Sequence, residues 1–227
     1  MTHSQASRGF SLVELLAVMT VMALLTGLVV PSIGALAGGR RLDGAISLGA
    51  NVFSSARQNS ISKGVLTAVV VLTDTAKVAN AGYRTIVVLE LAPRADGLAA
   101  TTQDWKQISK WEVLPTGVIV DNSTSGGSLK SEFLRSKASG PTDPPMLPDL
   151  VYKGSTFAPD TGYSYQVFTP QGRMNCYQDP SRANPPPITL QFSEGEYSGN
   201  TPAYTQGKNS GLFVFNDATG EFKIRRP

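Results

Sequence analysis

Gly9-Phe10-Ser11-Leu12-Val13-Glu14-Leu15-Leu16-Ala17-Val18-Met19-Thr20-Val21-Met22-Ala23-Leu24-Leu25-Thr26-Gly27-Leu28-Val29-Val30-Pro31 is the stretch that decides the fold. From Phe10 to Val30 it holds one charge, Glu14, and only the mildly polar Ser11, Thr20 and Thr26 beside it. Wound as a helix at about 1.5 Å per residue, these positions reach about 31 Å, the thickness of a hydrocarbon core. Ahead of them only Arg8 and His3 offer positive charge, a weak cation on the side that stays inside. The pattern predicts a membrane segment with an acid near its start that needs explaining.

Two ordinary explanations leave that acid unaccounted for. A secretory signal peptide would find an A-x-A-like cleavage site in Ala35-Leu36-Ala37. Such peptides, however, use an apolar run of about 7–15 residues behind a more basic start. A single-pass anchor has the right length, but an ionised carboxylate inside a spanning helix costs about 2–3 kcal/mol.

A third explanation uses the acid. Gly9-Phe10-Ser11-Leu12-Val13-Glu14-Leu15-Leu16 resembles the cleavage and methylation signature of type IV prepilins and pseudopilins. The resemblance implies that a membrane aspartyl peptidase, the prepilin peptidase, cuts between Gly9 and Phe10 and methylates the new amine of Phe10. It implies a leader over 1–9, a transmembrane and assembly helix over 10–30, and a helix-kinking proline at Pro31. Glu14 would then pair with the Phe10 ammonium of a neighbouring subunit. In a low-dielectric filament core an unpaired partner costs several kcal/mol, so wrong registers are rejected. Gly9 also suits the peptidase, since a residue without a side chain lets extended backbone enter a narrow cleft.

Downstream, Gly34, Gly38 and Gly39 each weaken a helix by about 1 kcal/mol relative to Ala, so a bend or local melting is expected there. Apolar spacing resumes at Leu42, Ala45, Ile46, Gly49, Val52, Phe53 and Ala56, opposite Arg41, Asp43, Ser47, Ser54, Arg57 and Gln58. Lys63-Gly64 reads as the stop signal, which makes 31–63 an amphipathic half of one long helix. Residues 64–227 switch to strand chemistry. Strands are expected at Leu66–Leu72, Thr85–Leu91, Trp105–Leu114 with Val118–Val120 as its short continuation, Tyr163–Phe168, Ile188–Phe192, Gly211–Phe215 and Glu221–Ile224. The last two should form a hairpin around Asn216–Gly220. A long irregular loop is expected near 121–162, with a short helix from Ser128 to Ala138. The fold class is α+β: a pilin-like long N-terminal helix packed on an antiparallel β-sheet head.

Three short stretches narrow the resemblance. Ala56-Arg57-Gln58-Asn59-Ser60-Ile61-Ser62-Lys63-Gly64 is similar to the helix-to-strand junction of H-type (GspH/FimT) minor pseudopilins. Val167-Phe168-Thr169-Pro170-Gln171-Gly172 resembles that group's F-x-P-x-G turn, and Leu212-Phe213-Val214-Phe215 with Thr219-Gly220 its final strand pair. The head is longer than in that group at 92–104 and 121–162, which brings the pilin-like D protein of the Verru/Chthon cassette into the comparison.

Composition removes most enzymology. The 227 residues carry 20 Lys+Arg against 17 Asp+Glu, a surplus too thin to argue for nucleic acid by itself. One Cys, Cys176, and one His, His3, exclude a disulfide framework, a multi-cysteine metal site and a histidine triad. No metal, cofactor or catalytic residue is expected. Cys176 reads as a free thiol, with an intermolecular disulfide as the sharper alternative. Asn122-Ser123-Thr124 fits a glycosylation sequon of a kind common by chance. Trp105 and Trp111 interleave with Lys106 and Lys110; stacking on a polymer is one reading, a half-buried strand the better one. Glu194 and Glu196 read as surface charge. The basic tail Lys223, Arg225 and Arg226 suggests a DNA-uptake minor pilin only through its charge, because three cations give weak, salt-sensitive phosphate contact.

The expected function is a structural subunit of a type II secretion or type IV pilus-like filament. Its partners would be the prepilin peptidase, other pilin or pseudopilin subunits, the inner membrane and a secreted substrate. The head would sit in the periplasm and the subunit later in a pilus or pseudopilus. A DNA-binding minor pilin and an anchored enzyme or binding domain are the alternatives.

Overall fold

The computed structural model describes residues 11–78, 81–93, 101–121, 124–125, 128–129, 147–159, 161–175, 188–198, 201–204, 209–216 and 218–226. One helix, α1, runs from Leu12 to Lys63. It crosses the boundary between two compact units, one through Arg40 and one from Arg41 onward. The expected melting at Gly34, Gly38 and Gly39 does not occur, since helical hydrogen bonding continues through them. A few kcal/mol of glycine cost is less than the cost of ending a helix and nucleating another between Ala- and Leu-rich turns.

From Arg41 the amphipathic reading holds. Leu42, Ala45, Ile46, Gly49, Phe53 and Ala56 are buried, Val52 is half-buried, and Arg41, Asp43, Ser47, Ser54 and Gln58 are exposed. The helix stops where Lys63-Gly64 predicted. Gly64 takes φ +66°, and the Val65 N–H donates to the Ser60 carbonyl at 3.2 Å, closing the last turn around a left-handed residue.

Fifteen strands follow among the described residues. β1 (Thr67–Leu72), β2 (Thr85–Leu91), β3 (Trp105–Gln107), β4 (Glu112–Val113), β5 (Val118–Val120), β6 (Thr124–Ser125) and β7 (Ser128–Leu129) make the first half. β8 (Leu150–Tyr152), β9 (Ser155–Phe157), β10 (Tyr163–Phe168), β11 (Met174–Asn175), β12 (Thr189–Ser198), β13 (Thr201–Tyr204), β14 (Ser210–Phe215) and β15 (Phe222–Arg225) complete them. One antiparallel sheet runs β11-β10-β1-β2-β3, with β4 also on β2; the other runs β13-β12-β14-β15, with β5 on β12. The β6–β7 and β8–β9 hairpins stand apart.

The helical stripe from Leu42 to Ala56 fills a cradle made by both sheets. Val69, Val71, Ile86, Val88 and Phe168 come from the first, and Val118, Val120, Leu190, Phe192, Phe213 and Phe215 from the second. The opposite face of the first sheet is buried too, with Ala68, Val70, Leu72, Val87 and Leu89 packed against Leu147, Leu150, Tyr152 and Phe157. Burial on both faces explains why β1 and β2 read as continuous apolar runs instead of alternating ones. The sheets are stitched at Tyr83, whose N–H donates to Leu72 O at 2.7 Å and whose carbonyl accepts from Val120 N at 2.8 Å. Tyr83 pays for this with φ +57°, held by a stack of its ring on Tyr197 at 4.2 Å.

Several expectations need correction. The single strand from Trp105 to Leu114 is two, because at Ile108–Trp111 the Ser109 hydroxyl replaces a ladder carbonyl and accepts from the Val88 N–H at 2.9 Å, and Val118–Val120 does not continue it but pairs with β12 in the other sheet. Trp105 is nonetheless buried, Trp111 half-buried against Tyr152, and Lys106 and Lys110 exposed, as a half-buried strand requires. The stretch 121–162 is not all exposed loop, since its later part supplies the second core. Ser128 and Leu129 are strand where a helix was expected, and the rest of that helix lies outside the described residues. β12 extends past Phe192, so Glu194 and Glu196 sit in a strand, with Glu194 accepting from Asn209 Nδ2 at 3.3 Å.

Candidate functional site

The N-terminal helix begins with a reciprocal arrangement. The Ser11 N–H donates to Glu14 Oε2 at 2.9 Å, and the Glu14 N–H donates to Ser11 Oγ at 3.2 Å. This is a capping box, two otherwise orphaned donors satisfied by two side chains three residues apart. The signal, Ser followed three positions later by Glu, was present in the sequence but masked by the stronger question of why an acid lies in an apolar run. No cation among the described residues pairs with Glu14.

The other polar groups here need no solvent. Thr20 Oγ1 donates to Ala17 O at 2.8 Å, and Thr26 Oγ1 to Met22 O at 2.7 Å, so each hydroxyl is satisfied within the helix. Every described side chain from Ser11 to Thr26 is exposed, including large apolar ones from Leu12 at 81% to Leu25 at 55%. Removal of each from water is worth about 1.5–3 kcal/mol, so this surface is costly to leave in water. Among the described residues no helix is long and apolar enough to cross a membrane. The expected span is only partly covered by them: Phe10 and the side chains of 27–30 lie outside. Gly9 and Phe10, the expected cleavage and methylation positions, lie outside the described residues, as do His3, Cys176 and the first two sequon residues, Asn122 and Ser123. Pro31 is inside α1, with its side chain undescribed.

In the head, the three stretches that narrowed the resemblance converge on Arg57. Its Nε donates to Gly172 O at 3.3 Å and to Thr219 O at 3.0 Å, so one guanidinium joins the helix to two turns. Gly172 and Gly220 both take positive φ, +75° and +66°. A β-carbon on Gly172 would lie 2.6 Å from Ile61, and one on Gly220 would run into the Gly172 carbonyl, so both turns need glycine. Sequence reasoning had placed Arg57 on the solvent side; it is half-buried by this junction.

The tail cations separate. Arg226 forms a close ion pair with Asp43 on α1, whereas Lys223 and Arg225 are exposed on β15. Among the described residues no group of His, Cys, Asp and Glu gathers in a way that could hold a metal ion.

No curated protein and no solved structure matches the chain. Residues 4–30 match the family model for the prokaryotic N-terminal methylation motif, which supports a type IV pilin-like protein processed at its N-terminus.

Proposed function

We propose that this chain is a minor pseudopilin or pilin-like subunit of a type II secretion or type IV pilus-like filament. Prepilin peptidase removes 1–9 after Gly9 and methylates Phe10. Residues 10–30 then hold the subunit in the inner membrane as a single pass, with the head, 64–227, in the periplasm, until the helix is drawn into a filament. The observation that carries the reading is the methylation motif over 4–30, coincident with an apolar stretch whose acid, Glu14, has no cation partner among the described residues. Glu14 is set up for transfer: its capping contact with Ser11 is a modest one and yields to a neighbour's Phe10 ammonium in low dielectric. Pro31 relaxes the helix below the amphipathic half. The meeting of the three H-type stretches at Arg57 favours that group, and the longer head leaves the cassette D protein as the variant of the same reading. Cargo or substrate would meet the head; no catalysis is involved.

Intact mass of the membrane-extracted protein tests this. The expected mass lacks residues 1–9 and carries one added methyl, and it reverts to full length in cells without the peptidase. A chain still beginning at Met1, or starting beyond Ala37, overturns it. Glu14→Ala should be cleaved normally yet fail to enter filaments.

A further inference from the structure

The last hairpin places β15 at the end of the second sheet. The Asn216 N–H donates to Glu221 O at 2.7 Å, and hydrogen-bonded pairs alternate along an antiparallel ladder, so Val214↔Lys223 and Leu212↔Arg225 are the next such pairs. The backbone groups of Phe222 and Ile224 therefore point away from β14, and β15 is the terminal strand among the described residues. Beside it lies an open groove of about 770 Å3, lined by Ser54, Arg57 and Gln58 of α1 and by Phe222, Lys223 and Arg225 of β15. Among its described lining residues the one carboxylate, Glu221, lies 3.9 Å from Arg57, while Arg226 is held by Asp43. Among the described residues no acid pairs with Lys223 or Arg225, so the groove carries uncompensated positive charge next to unpaired strand backbone.

We propose that this edge accepts an extended acidic segment of another protein, which adds to the second sheet as a further strand. Main-chain bonds to Phe222 and Ile224 supply the pairing, and carboxylates at alternate positions face Lys223 and Arg225. A second copy of β15 is a poor occupant. Antiparallel pairing centred on Lys223 or on Ile224 sets Lys223 opposite Lys223 or Arg225, and like charges directly opposite destabilise a ladder. Nucleic acid is also disfavoured, because two free cations bind phosphate weakly and leave the strand edge unused. The inference is independent of how the N-terminal segment is processed.

The test uses the full chain in detergent micelles and a labelled nine-residue peptide alternating Glu with Val. Its Lys-for-Glu counterpart, a copy N-methylated at alternate amides, and a short single-stranded oligonucleotide serve as comparison probes. The acidic peptide should bind in a salt-sensitive way and slow amide exchange at Phe222 and Ile224. The N-methylated copy should not bind. The double variant K223E/R225E should weaken the acidic peptide about tenfold and favour the basic one, as expected for reversal of two cross-strand charge pairs. Equal binding of both peptides, protection elsewhere, or tighter binding of the oligonucleotide would each overturn the proposal.

Discussion

At Gly49 a β-carbon would sit 2.6 Å from one atom of the Phe192 ring and 2.9 Å from another. Helix propensity alone says that Ala should stabilise this position by about 1 kcal/mol. The ring belongs to the packed aromatic group of Phe53, Phe192, Phe213 and Phe215 and has little room to move. Overpacking of this kind costs about 1–3 kcal/mol, so Gly49→Ala should lower the thermal midpoint even though it improves the helix, as calorimetry will show. Glu90 makes the opposite case, a polar residue that sequence reasoning passed over. Its carboxylate accepts from Lys63 Nζ at 2.7 Å and Asn59 Nδ2 at 3.0 Å, tying the helix end to β2. The Lys63 hydrogen bond, with that of Asn59, holds the Glu90 carboxyl below its usual range despite partial burial. A depressed folded-state pKa gives stability that is present above the unfolded value, about 4.3, and lost as pH falls through the lower folded value. Glu90→Gln should remove that acid-sensitive part, about 0.5 kcal/mol after solvent screening, so denaturation midpoints of the two proteins should converge below about pH 4.

The elements that the sequence revealed are those whose cause is local. The end of α1 at Lys63-Gly64, the buried stripe from Leu42 to Ala56, and β1 and β2 follow from capping chemistry, period and β-branched runs. So does the final hairpin, where Asn216 Oδ1 accepts from the Ala218 and Thr219 N–H groups. What stayed hidden depends on distant partners. Arg57 reads as a solvent residue until two turns more than a hundred positions away close over it. The β8–β9 hairpin was legible in principle, because Lys153-Gly154, with φ +48° and +79°, is a two-residue turn between alternating strands. The prolines before it drew the reading toward loop. This hairpin covers the outer face of the first sheet through Phe157, with Lys77 over its ring at 5.6 Å and Lys77 Nζ donating to Thr156 O at 2.8 Å. Phe157→Ala should cost about 3–5 kcal/mol and expose β1 and β10 on that side. Faster amide exchange at Val70 and Tyr165 than at Val69 or Phe168 would be a poor match for simple global unfolding and would mark loss of this cover.

At the scale of the whole chain, the division near Arg40 separates two kinds of surface. From Arg41 onward the described residues contain both apolar clusters, and the large apolar side chains exposed there are few and scattered. Up to Thr26 the described helix exposes ten large apolar residues and has no core at all. The second unit therefore carries its own folding energy, whereas the described part of the first offers apolar surface with nothing to pack on. A protein beginning at Arg41 should fold without detergent and elute as a monomer. Its unfolding midpoint should match that of the full chain in micelles within a few degrees, since the helical stripe that fills the cradle is retained. The full chain should partition into membranes by well over 10 kcal/mol of apolar transfer. It should leave them only with detergent, not with high salt or alkaline washing. Membrane fractionation and size-exclusion chromatography of the two proteins decide the matter. A truncated form that aggregates, or a full-length form that salt releases, would place the boundary between anchoring and folding elsewhere along α1.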